Sequence, residues 1–163
     1  MKLVINKKIN ANLIVTSIAL FVALVAMIVY GVGVSRAGYF QGQDVSAVLA
    51  YGITGLIFFL LSDALNIICF DGIVGKYVKL VGVILKVVSS AFFVLACMSF
   101  VEARIEGIIT LFFSNEEVLK EIQTADNMAS ADLAIASIAL LGLSGLAGIV
   151  SSFFGYAEPK FEK

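Results

Sequence analysis

Long apolar stretches alternate with short polar ones along this chain, and the alternation repeats four times. No charged residue occurs over 9–35 or 133–157, while the apolar stretches 45–70 and 77–101 each hold one charge deep in their interior, Asp63 and Lys86, with Lys79 at the edge of the latter. A helix needs about 20 apolar residues to cross roughly 30 Å of hydrocarbon. The pattern therefore predicts four spans, at about 11–34, 46–70, 77–101 and 132–156. The expected fold is all-α, a four-helix transmembrane bundle forming a single integral membrane domain. A short extracytoplasmic helical segment, about 102–131, is expected between the third and fourth spans. The connections favour sequential up-down packing.

Within that outer segment Ile105, Ile108, Ile109 and Phe112 recur at helical spacing. An amphipathic helix is expected there, continuing the third span or lying along the interface. Ser114 and Glu117 fit a capping box, and Val118, Leu119 and Ile122 give the following short helix one apolar face. The first span is the most purely apolar and is expected to supply much of the lipid-facing surface. A retained span fits its N-terminal stretch better than a cleaved signal peptide, because 13–34 is longer than a signal h-region of about 7–15 residues.

The fourth span carries two rows of small residues, Ser144, Gly148, Ser152 and Ala147, Ser151, Gly155. Small residues at this spacing let helix backbones approach closely, either within the chain's own bundle or against another membrane protein. Across the hairpin of the second and third spans, Asp63 and Lys86 have their midpoint at 74.5, inside the expected turn, so they should lie at one depth. A charge near the middle of a span costs about 2.5–3.5 kcal/mol on insertion scales, and a partner offsets much of that. Lys79, Gly82, Lys86, Ser89, Ser90, Cys97 and Arg104 fall within about 60° of one direction at about 100° per residue. The reading is an ion pair between Asp63 and Lys86 in an intramembrane polar seam completed by Asn66, Ser89 and Ser90. Its roles divide between a structural clamp, a snorkelling lysine and a site for protons, cations or a polar solute.

Charge then sets orientation. Lys2, Lys7, Lys8, Lys76, Lys79, Lys160 and Lys163 fall on one side of a four-span chain, against Arg36, Arg104 and Lys120 on the other. The positive-inside rule places both termini in the cytoplasm of a cell-membrane protein. Asp44, Glu102, Glu106, Glu116, Glu117, Glu121, Asp126 and Asp132 would then face outside as a solvated acidic surface.

Composition narrows the chemistry. At 61% hydrophobic content and mean hydropathy +1.05, the 163 residues are accounted for by one membrane domain, and no basic patch points to nucleic acid. The absence of histidine excludes bis-histidine haem ligation and histidine-based zinc or copper sites. Cys69 and Cys97 are displaced by roughly 25 Å of helix, too far for a disulfide. Glu102 and Glu106, one turn apart, read as helix-surface charges rather than a catalytic pair. No cofactor, no metal and no catalytic residue is expected. Partners are the lipid bilayer and another membrane protein, or itself as a homo-oligomer. The leading expectation is a non-enzymatic accessory or scaffolding subunit; the alternative is a small oligomeric transporter or channel using the Asp63 and Lys86 seam.

Overall fold

The computed structural model describes residues 3–5, 11–70 and 72–154. Among the described residues five helices form, and four of them are long and apolar enough to cross a membrane. These are α1 (Ala11–Ser35), α2 (Ser46–Ile67), α3 (Gly72–Phe113) and α5 (Ala125–Phe153), with the short α4 (Glu116–Ile122) between the last two. A two-stranded antiparallel ribbon pairs β1 (Leu3–Ile5) with β2 (Ile68–Phe70) beside the α2–α3 turn. Apart from this ribbon the regular structure of the described residues is helical. The second expected span therefore ends as helix at Ile67, and 68–70 run extended instead.

The four long helices pack as a ring, with α1 against α2, α2 against α3, α3 against α5 and α5 against α1. That is the sequential arrangement the short connections favour. The α1–α2 side is the most sparsely packed of the four. Large apolar side chains cover the outside, among them Ile18, Phe21 and Ile28 on α1 and Ile57 and Leu60 on α2. The interior, by contrast, holds Asn12, Thr16, Ser62, Asp63, Asn66, Lys86, Ser89, Ser90, Arg104 and four serines of α5. Water would reward the opposite distribution, so the arrangement fits a bundle whose surroundings are hydrocarbon.

Small residues set how closely the helices meet. The buried face of α1 reads Asn12, Thr16, Ala19, Ala23, Ala26, Tyr30 and Gly33, alternating steps of four and three residues. On α5, Ser144, Gly145, Gly148 and Ser151 point inward. A Cβ on Gly148 would run into the Phe59 ring and the Ser90 hydroxyl, and one on Gly145 would meet Val94 at 2.8 Å. Phe59 itself stacks on Phe93, with ring centroids 5.7 Å apart. Of the small-residue rows, Gly148 meets the bundle interior and Ser144 and Ser151 are buried; Ala147 and Ser152 are half-buried, and Gly155 lies outside the described residues.

At the end that carries α4, the helices outrun the expected spans. At about 1.5 Å per residue, the 42 residues of α3 extend roughly 63 Å, about twice the hydrocarbon thickness. Of the expected amphipathic face, Ile108 and Phe112 turn toward the core beside the buried Leu111, while Ile105 and Ile109 face outward. The helix cap falls one residue later than the expected capping box: Asn115, not Ser114, accepts from Val118 N at 2.9 Å. Ser114 instead donates to the Thr110 carbonyl within α3. Thr124 caps α5 by accepting from Asn127 N, and the Gln123 side-chain amide donates to Leu111 O at 2.8 Å, folding α4 back on α3.

Candidate functional site

The polar groups of the interior gather in two places, one near each end of the bundle. Close to the α2–α3 hairpin, three helices contribute. The Lys86 ammonium donates to Asn12 Oδ1, and Asn12 Nδ2 donates to Asn66 Oδ1 at 3.4 Å, which joins α3, α1 and α2. Thr16 supports Asn12 from one turn away by donating to its carbonyl at 2.8 Å. Ser17, on the same turn, reaches the Asp63 carboxylate, and Lys86 attracts that carboxylate electrostatically. Asp63 Oδ1 and Asn66 Nδ2 have no hydrogen-bond partner among the described residues.

The hairpin register explains why Asn12 takes this part. Ser62 donates to Gly82 O at 3.0 Å and Ser89 donates to Gly55 O at 2.6 Å, and the midpoint of both pairs is residue 72. The expected midpoint of 74.5 is displaced because α2 ends at Ile67 and α3 already begins at Gly72, both earlier than the expected 70 and 77. Relative to Asp63, the Lys86 backbone consequently sits about five residues further from the turn, roughly 7 Å along the axis. Helical side chains lean toward the N-terminus, which for Lys86 is the hairpin end, and its long stem brings the ammonium back to Asn12. The equal-depth expectation is corrected on this point: Asp63 and Lys86 share the interior and attract each other electrostatically, while Lys86 also donates a hydrogen bond to Asn12 of α1.

All five expected seam residues, Asp63, Lys86, Asn66, Ser89 and Ser90, are buried. Ser90 donates to the Lys86 carbonyl at 2.7 Å and faces Gly148, so it joins the seam to α5 rather than to the carboxylate. Asn12, Thr16 and Ser17 are the residues that sequence reasoning left out. For Asn12 and Thr16 the signal was available in the two-step rhythm of small and polar positions on the first span, which marks a packed face rather than a lipid-facing one; exposed Ser17 falls outside that rhythm.

The second polar site is a clasp at the α4 end. Arg104, only 2% exposed, donates through one terminal nitrogen to Gln43 Oε1 at 2.8 Å and through the other to Gln43 O. Its guanidinium lies 4.6 Å from the Phe40 ring centroid and 5.3 Å from that of Phe100. Phe40 N donates to Ser130 Oγ at 3.2 Å, and the Tyr30 hydroxyl accepts from Val45 N at 2.7 Å. Gly38, at a φ of +140°, lets the loop backbone settle on α5, where a Cβ would meet Asp126 O at 2.5 Å. The 36–45 loop is thereby fixed to α3 and α5. A void of about 10 Å³ beside Arg104, Tyr30 and Ser130 has room for about one water. Arg104 Nε has no hydrogen-bond partner among the described residues.

Chemically, the hairpin cluster offers an ammonium and two amides linked by hydrogen bonds, beside a carboxylate that Ser17 reaches. Half-buried Cys97 donates to Ile138 O at 3.4 Å, which is a packing contact. Among the described residues, no group of three or more His, Cys, Asp or Glu side chains is placed to hold a metal ion. The acidic residues of the α4 end, Glu102, Glu106, Glu116, Glu117, Glu121, Asp126 and Asp132, are all exposed. Comparison with protein-family models, curated proteins and solved structures gives no match.

Proposed function

We propose that this chain is a multi-pass protein of the cell membrane, with both termini cytoplasmic, that acts without catalysis as an accessory or scaffolding subunit of a membrane complex. One observation carries the reading: α3 runs about twice the thickness of the hydrocarbon core and holds α4 and the start of α5 clear of the spans. Arg104, Phe40 and Gln123 fix that projection to the bundle, so it is a rigid acidic platform rather than a loose loop. Orientation rests on lysine distribution. Arg104 is buried in the clasp, which among the described residues leaves Arg36 and Lys120 as the exposed cations at the platform end.

A second reading, a small oligomeric transporter or channel for an ion or small polar solute, draws on Asp63. Its carboxylate keeps one oxygen without a hydrogen-bond partner among the described residues, and intramembrane carboxylates often mark ion or proton paths. Against this, Lys86, Asn12 and Asn66 already bond to one another.

Affinity purification of the tagged chain from its native membrane in mild detergent, with mass spectrometry and native sizing, separates the two. A stoichiometric second membrane protein is expected. Recovery as a homo-oligomer alone, with proton or cation flux in proteoliposomes that is lost in Asp63→Asn, would replace the subunit reading with the transport one.

A further inference from the structure

The outward face of α3 carries an apolar seam that does not stop where the membrane does. Leu95, Met98, Glu102, Ile105 and Ile109 alternate at steps of three and four residues, with Phe113 one turn further, and all six are exposed. This is the spacing by which two helices pack side by side along a 3.5-residue repeat. Leu95 and Met98 need no explanation in lipid. Beyond residue 101 lipid no longer covers the stripe: Phe113 stands about 18 Å further along the axis, past a headgroup layer of roughly 5–7 Å. Yet Ile109 is 52% and Phe113 80% exposed. The opposite face of the same stretch is already used, since Arg104 and Leu111 are buried and Gly107 packs under the Tyr39 and Phe40 rings.

Resting on the subunit reading, we infer that this face of α3 docks a single helix of a different membrane protein, one that likewise continues out of the bilayer and carries Lys or Arg opposite Glu102. The charge argument selects the occupant. Glu102 occupies a position of the seam itself, and Glu106 flanks it one turn on, where facing helices place their ion pairs. A second copy inserted in the same orientation would align α3 parallel to itself and set Glu102 against Glu102. Like charges in a seam disfavour that pairing, whereas a basic partner is both attracted and held in register.

The test places a photoreactive phenylalanine analogue at Ile109 of the tagged full chain in its native membrane, and purifies Glu102→Lys and Ile109→Glu variants in parallel. Both substituted positions are exposed, and unchanged far-UV circular dichroism with monodisperse elution checks the fold. The expected crosslink is to a foreign peptide directly following a transmembrane segment and containing Lys or Arg. Recovery of that partner should fall about tenfold in each variant, and reversing the partner's basic residue to Glu should restore it to Glu102→Lys. A stoichiometric partner recovered equally with both variants would overturn the seam while leaving the subunit reading standing. A crosslink to lipid or to this chain's own peptides would overturn it as well. Purification of the wild type without any partner would remove both readings together.

Discussion

Replacing Arg104 by Met keeps an apolar stem under Phe40 and Phe100 but removes the fork that grips Gln43, so it isolates the clasp. The lost terms are two charge-assisted hydrogen bonds, about 1.5–3 kcal/mol each, and ring contacts of about 0.5–2 kcal/mol. Two effects offset them. Gln43 is exposed and its freed acceptors regain water, and the unfavourable burial of a guanidinium disappears with it. The balance is a destabilisation of about 2–4 kcal/mol. Lysine in place of Arg104 restores charge without the planar fork, and should recover less than half of the loss. The assay is reversible unfolding in mixed micelles as the fraction of denaturing detergent rises, followed by far-UV circular dichroism because the chain has no Trp. Limited proteolysis of the 36–45 loop should accelerate in the same variants. A loss under about 0.5 kcal/mol, or full rescue by lysine, would refute the claim that this geometry fixes the loop.

Three further outcomes follow from the packing. Gly148→Leu should destabilise the bundle by about 1–3 kcal/mol or more in the same unfolding assay, because the Phe59 ring and Ser90 occupy the space, whereas Gly31→Ala meets nothing within 4 Å and should be silent. Lys86→Met and Asn12→Leu should each be destabilising, yet the double variant should cost less than their sum by about 0.5–3 kcal/mol; strict additivity would mean the two side chains do not interact. Proteoliposomes containing only this chain should show proton and cation flux no greater than empty vesicles, and flux that Asp63→Asn abolishes would contradict the subunit reading.

How much could be read beforehand depended on which physical signal each feature left in the chain. Hydrophobic length located the four long helices, because bilayer thickness leaves little freedom at that scale. The burial of Lys86, Ser89, Ser90 and Arg104 on one face of α3 was legible from helical period alone. The bond from Lys86 to Asn12 was not, since it depends on a hairpin register set by where α2 ends and α3 begins, and three residues of extended chain leave no strong pattern. Asn12 and Thr16 were hidden by a different cause: a span without charges resembles a lipid-facing one until the recurrence of small residues is weighed against its overall hydropathy. The clasp needed tertiary structure, because Gln43 and Arg104 are brought together by the return of the chain across the whole bundle. At the short helix α4, Ser114 and Asn115 both suit a cap, and which one serves depends on where α3 ends.

Everything proposed for the platform and its seam requires that α3 cross the membrane and carry residue 113 to the outer side. Single cysteines at the exposed positions Phe113 and Lys76, in a background where Cys69 and Cys97 are replaced by Ser, test this with a membrane-impermeant maleimide. The account predicts labelling of position 113 in intact cells and of position 76 only after permeabilisation. Labelling of both from the same side would contradict the crossing, and labelling of position 76 alone from outside would contradict the orientation.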